Sequence, residues 1–163
     1  MKSNSSLHPK HPLLRLILGI VAIACVVVIY PRLLGNLILS AAEQGEAPQV
    51  RLLLRLGADP DSFGWKIPMD QTPLMLAASK GSLPTVQVLL DHGADVNTGV
   101  NEWGVTPLMC AVESGNPMVV RLLLAHGARL DSADGSDETS LTLSQTGHHP
   151  EIVQMLRRAG EKY

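Results

Sequence analysis

Residues 71–95 read QTPLMLAASKGSLPTVQVLLDHGAD, and residues 105–129 read VTPLMCAVESGNPMVVRLLLAHGAR. The Thr-Pro-Leu-Met opening at Thr72 returns at Thr106 and, degraded, as Thr139-Ser140-Leu141-Thr142, at offsets of 34 and 33 residues. The close behaves the same way. Gly57-Ala58-Asp59, Gly93-Ala94-Asp95, Gly127-Ala128-Arg129 and a terminal Gly160 follow one another at offsets of 36, 34 and 33. Apolar runs beginning at Val50, Val86, Val120 and Val153 lie between these landmarks. A fixed period of this length is the mark of a repeat array.

Each landmark has a physical reason. Thr caps a helix N-terminus, and Pro suits the next position, where no amide hydrogen is needed. A short helix from Leu74 to Lys80 is expected to end near Gly81, and Pro48, Pro84, Pro117 and Pro150 sit where second helices start. Gly57, Gly93 and Gly127 then close those helices in the left-handed conformation that Gly tolerates best. One helix pair cannot bury its apolar face alone, so the pairs must stack into a solenoid.

These residues resemble the ankyrin repeat, whose Thr-Pro-Leu opening, paired alanines (Ala41-Ala42, Ala77-Ala78) and Gly-Ala-Asp close all stand here. The resemblance implies an all-α solenoid of about four helix-turn-helix repeats with β-hairpin-like fingers between them. The expected repeats are residues 36–70, 71–104, 105–138 and 139–163, within a domain of residues 33–163. The first lacks Thr-Pro-Leu. The last has Ser144-Gln145 in place of the alanines and Arg157-Arg158 in its second helix, the polarity that capping repeats need.

The same resemblance implies a non-enzymatic adaptor that binds another protein through the fingers and the exposed positions of the inner helices. Carried over position by position, it points to Gln71, Ser79 and Lys80, then Val105, Glu113 and Ser114, then Glu138, Thr146 and Gly147. From closing Gly to next Thr the fingers span 15, 13 and 12 residues, so the first has an insertion. Within it Phe63, Trp65, Ile67 and Met69 alternate with other residues, which puts four large side chains on one side of an extended segment. They are expected to form a partner-binding hot spot, or else to fold over and seal the first repeat. Trp103 and Glu102 in the second finger complete the candidate contact set. The fingers hold Asp59, Asp61, Asp70, Asp95, Glu102, Asp131, Asp134, Asp137 and Glu138 against Lys66 and Arg129, a net −7. Such a field favours a partner with a basic or mixed basic-apolar surface and repels phosphate backbones. An inhibitor or immunity-type protein that caps an enzyme or toxin is the alternative to an adaptor.

The formal net charge of −2 hides a second asymmetry. Residues 1–32 carry Lys2, Lys10, Arg15 and Arg32 with no acid, whereas the remainder is −6. After a short basic tail at residues 1–12, residues 13–32 contain a fifteen-residue uncharged run, Leu16 to Tyr30. As a helix this run is ~22 Å long, against a hydrocarbon core of ~30 Å. Three readings compete: an uncleaved anchor, a cleaved signal and a lipoprotein modified at Cys25. The anchor leads because no small-residue cleavage site follows Tyr30 closely and Val26-Val27-Val28-Ile29 follows the cysteine. Its flanking charges predict a single-pass protein with a cytoplasmic N-terminus and extracytoplasmic repeats, periplasmic in a bacterium. Signal cleavage would instead release a secreted or periplasmic protein.

Composition excludes several classes. Aromatics are 3% of the chain, too few for stacking on single-stranded nucleic acid. Two cysteines, Cys25 and Cys110, cannot make a disulfide framework or a four-thiolate zinc site. His92 and His126 precede closing glycines, where a ring suits a helix C-terminus. The adjacent pair His148-His149 is a weak metal motif, and Cys110 is expected to be a buried thiol. No catalytic, metal or cofactor site is expected.

Overall fold

The structure, a computed structural model, describes residues 19–20, 29–63, 71–98, 104–130, 139–147 and 149–160. Eight helices are traced in full among them: α1 (Tyr30–Gln44), α2 (Ala47–Arg55), α3 (Pro73–Ser79), α4 (Leu83–Asp91), α5 (Pro107–Glu113), α6 (Pro117–Ala125), α7 (Ser140–Thr146) and α8 (Pro150–Gly160). They form four antiparallel pairs. Helices α1, α3, α5 and α7 pack side by side as an inner row, and α2, α4, α6 and α8 pack as an outer row. The described residues hold no β-strand, and the fingers beyond their bases lie outside them.

The predicted caps form. Thr72 is extended (φ −83°, ψ 161°) and its side chain accepts the Met75 amide, with Pro73 opening the helix. Thr106 repeats this with the Met109 amide. Thr139 accepts the Thr142 amide at 3.4 Å while the Thr142 hydroxyl takes the Thr139 amide at 2.8 Å, a reciprocal box without a proline. At the outer ends, Gly93 adopts φ 86°, and the Ala94 amide turns back onto the Leu89 carbonyl. This left-handed closure satisfies carbonyls the helix leaves open.

The core runs between the two rows. Ile38, Leu74, Met75, Leu108, Met109, Leu89, Leu123 and Ile152 are essentially inaccessible, and Ala42, Ala77, Ala78 and Ala111 are 0% exposed. Small residues in the inner helices let neighbouring repeats approach closely. Polar side chains then tie repeat to repeat: Ser82 Oγ donates to the Gly45 carbonyl, and Asn116 Nδ2 to the Gly81 carbonyl at 2.8 Å.

The N-terminal expectation needs correction. No helix among the described residues is long and apolar enough to cross a membrane, which overturns the single-pass topology with extracytoplasmic repeats. The separate apolar helix ahead of the solenoid is likewise not supported. The run expected to serve as an anchor loses its end to the solenoid, because Tyr30, Pro31 and Arg32 are the first turn of α1. That helix spans fifteen residues, ~22 Å. It buries Leu34, Ile38, Leu39, Ala41 and Ala42 in the core and exposes Arg32, Asn36, Glu43 and Gln44. Apart from Gly19 and Ile20, which are helical and exposed, residues 13–28 lie outside the described set.

Candidate functional site

The paired alanines set the register of the inner row. Glu43 of α1, Ser79 of α3 and Glu113 of α5 each follow a buried pair, Ala-Ala in the first two and Ala111-Val112 in the third, and all three are exposed. One residue further on stand Gln44, Lys80 and Ser114, the first two exposed. Ser114 is half-buried and its hydroxyl donates to the Ala111 carbonyl at 2.8 Å. Three consecutive repeats thus present a short row of mixed charge, with Glu43 and Glu113 flanking Lys80. Glu43 was not among the residues expected from sequence, because the first repeat lacks Thr-Pro-Leu; the Ala41-Ala42 pair is the signal that finds it.

Other candidates are placed differently. Gln71 and Val105 immediately precede the capping threonines and are half-buried, with Val105 packed against the core. Gly147 follows α7 and is exposed. Trp65, Ile67, Met69, Glu102, Trp103 and Glu138 lie outside the described residues, as do the acids Asp70, Asp131, Asp134 and Asp137. Phe63 stands at the entrance of the first finger and is 56% exposed. It borders an open groove of about 660 Å³ whose other wall is α1, through Ile29, Arg32, Leu33 and Asn36, with Asp59 and Ser62 at its floor.

The finger bases use their carboxylates internally. Asp59 Oδ1 accepts the Asp61 amide, and Asp95 Oδ1 accepts the Asn97 amide, each turning the chain out of the helix. Asp61 reaches across to the next repeat and accepts the Asp95 amide at 3.1 Å. Asn97 holds the equivalent place one repeat on: it accepts the Arg129 amide at 2.9 Å and donates to the Gly127 carbonyl at 3.2 Å. Burial raises the Asp61 pKa above its ordinary value, with the charges of Asp59 and Asp95 adding and the Asp95 amide opposing. Asp95 moves the other way, lowered by the Asn97 amide and by Thr98. This stapling was not legible as such in the sequence, although an acid or amide two residues after the closing Asp, at Asp61 and Asn97, is the trace it leaves.

The remaining reactive side chains are built into the packing. Cys110 is 2% exposed, and burial pushes its thiol up to about 11. His92 and His126 place Nδ1 within 2.8 and 2.9 Å of the Val88 and Leu122 carbonyls at the ends of α4 and α6. The His149 ring lies over Gly115, which has φ 68° and would bring a Cβ to 2.6 Å of that ring. His148 lies outside the described residues. Among the described residues no cluster of three or more His, Cys, Asp or Glu is arranged to hold a metal ion.

No curated protein matches the chain in sequence. A family model described as ankyrin repeats (3 copies) matches residues 37–134 and, in an overlapping second match, residues 98–163. Ankyrin repeats are generally protein–protein interaction modules. Model match, helix pairs, caps and repeat-to-repeat staples agree, and the chain belongs to the ankyrin-repeat family.

Proposed function

We propose that this chain is a non-enzymatic adaptor that captures a protein partner along its inner-helix edge and finger bases. The observation that carries the proposal is the exposed row of Glu43, Ser79-Lys80 and Glu113, in equal register on three neighbouring helices. Rigid helices hold these side chains, so little ordering entropy is lost on binding. Alternating charge along the row gives partner selection by sign as well as shape. Phe63, at the mouth of the first finger, supplies an apolar anchor beside the N-terminal half of α1, and the acids of the fingers extend the site toward a basic or mixed basic-apolar partner surface.

A photo-crosslinking side chain at position 113 would trap the partner for identification. Binding of that partner is then measured with Lys80→Glu/Glu113→Arg and with Phe63→Ala. The double charge reversal is expected to weaken binding at least tenfold, about 1.4 kcal/mol, with unchanged helicity. Equal affinity for the wild type and the charge-reversed protein would refute the placement of the site.

A further inference from the structure

The outer face of the first repeat carries exposed apolar side chains, two of them at positions that the second repeat buries against the first. Leu37 corresponds to Pro73, Pro107 and Ser140, which are buried, yet Leu37 is 46% exposed. Leu52 corresponds to Val88, which is 3% exposed, whereas Leu52 is 58% exposed. Leu56 follows one turn on and is 50% exposed. Ile29, Leu33 and Leu37 form an i, i+4, i+8 stripe down α1, and the Tyr30 hydroxyl donates to the Leu56 carbonyl, tying the stripe to α2. At the other end of the stack, α8 instead exposes Gln154, Arg157 and Arg158. Capping repeats are polar on the outside, so the apolar face at the first repeat calls for a cover.

We infer that the cover is a second copy of this chain, docked face to face through α1 and α2 in an antiparallel twofold arrangement. Two observations choose this occupant. First, the chain's own N-terminal segment is not laid on the face where it is described: Ile20 is 58% exposed and a Cβ at Gly19 would meet nothing within 4 Å. Second, the rim of the face is electrostatically self-complementary. Exposed Arg32 and Arg55 lie at the end where α1 begins and α2 finishes, and exposed Glu46 lies at the opposite end. A twofold axis in the plane of the face and across the helices sets each basic end against the partner's acidic end. Glu46 also holds the place from which Ser82 and Asn116 reach back to a preceding repeat. Ile29, Tyr30, Leu33, Leu37, Leu52 and Leu56, all exposed, offer on the order of 600 Å² per protomer, and their charged rim brings the contact near the ~800 Å² per partner of a standard interface.

The test is sedimentation velocity of the full-length chain from low to high micromolar concentration. A concentration-dependent dimer is expected. Leu37→Glu/Leu52→Glu should weaken it more than tenfold without loss of helicity, since both side chains are already exposed. Glu46→Arg should weaken it too, and Glu46→Arg/Arg55→Glu in one chain should restore it. A monomer at every concentration overturns the inference, as does a dimer indifferent to the leucine substitutions. Absence of rescue by the second charge reversal overturns the antiparallel pairing. An intrachain disulfide between native Cys25 and Leu37→Cys, formed in the monomer, overturns it in favour of the N-terminal segment.

Discussion

Ser140 is the weak point of the fourth repeat, and the other repeats show how to mend it. It stands where Pro73 and Pro107 open α3 and α5, and it is 1% exposed. Its hydroxyl oxygen is the one buried side-chain polar atom without a hydrogen-bond partner among the described residues. Ser140→Pro should therefore be stabilising for two separable reasons. Removing an unsatisfied buried hydroxyl relieves a desolvation cost of about 1 kcal/mol, at the low end of the usual range. Proline further restricts the unfolded chain, which contributes about 0.4–1 kcal/mol where the native backbone already suits it. The backbone does suit it. Thr139 has φ −104° and ψ 165°, close to Thr106 at −116° and 160°, the residue before Pro107. The first helical position has no intrahelical acceptor for its amide, so no ladder bond is lost.

The expected gain is about 1.5–2 kcal/mol, or roughly 4–6 °C in melting temperature for a chain of this size. Terminal repeats open before central ones in a solenoid. The effect should thus be largest in hydrogen exchange at the amides of α7 and α8, and also visible in urea denaturation followed by circular dichroism. Ser140→Ala isolates the hydroxyl and should yield about half the gain. Destabilisation by Ser140→Pro together with a neutral Ser140→Ala would refute the reasoning: the hydroxyl would then carry no cost and the ring would not fit.

Thr106→Ala removes the acceptor of the Met109 amide in the middle of the stack and should cost about 1 kcal/mol in urea denaturation. Asp61→Asn keeps the acceptor for the Asp95 amide, adds a donor that can copy the Asn97 bond to Gly127, and removes a charge beside Asp59 and Asp95. Because the folded pKa of Asp61 is raised, ionisation lowers stability as pH rises from 3.8 through that folded value; the Asn variant should be the more stable above it and lose this pH dependence. Cys110 ionises near 11 when folded and at 9.0 when not, so its contribution to stability should fall by about 1.4 kcal/mol per pH unit between those values. That slope should vanish in Cys110→Ala, and native protein at pH 8 should leave Cys110 unreactive to a disulfide reagent until unfolded.

What was legible in the sequence was what is local. Thr72-Pro73 and Thr106-Pro107 announce helix starts because cap and proline act on the next few amides alone, and the closing glycines act on one backbone angle. The start of α1 was hidden. It has Tyr30-Pro31 instead of Thr-Pro, its N-cap Ile29 makes no side-chain bond, and an uninterrupted apolar run leads into it. Hydropathy averages over that junction, so Tyr30 and Arg32 were expected in an anchor although their helix belongs to the solenoid. The candidate site was legible to the same depth. Ser79, Lys80 and Glu113 follow from position within a repeat, whereas the bond from Asp61 to the Asp95 amide crosses 34 residues and no local pattern specifies it.

That bond changes what the acidic edge can do. The three finger acids among the described residues all have a carboxylate engaged by a main-chain amide: Asp59 by Asp61, Asp61 by Asp95, Asp95 by Asn97. A carboxylate held this way keeps its negative field but has committed part of its acceptor capacity and its rotamer. In the proposed adaptor it would draw a basic partner toward the edge at long range without being free to shape itself to one. Discrimination must then come from side chains with unspent polar groups on rigid supports. On the inner row these are of both signs, Glu43 and Glu113 around Lys80. A uniformly basic partner surface would place a cation against Lys80, so the arrangement favours a partner whose basic surface is interrupted by an acid or an apolar side chain at that point.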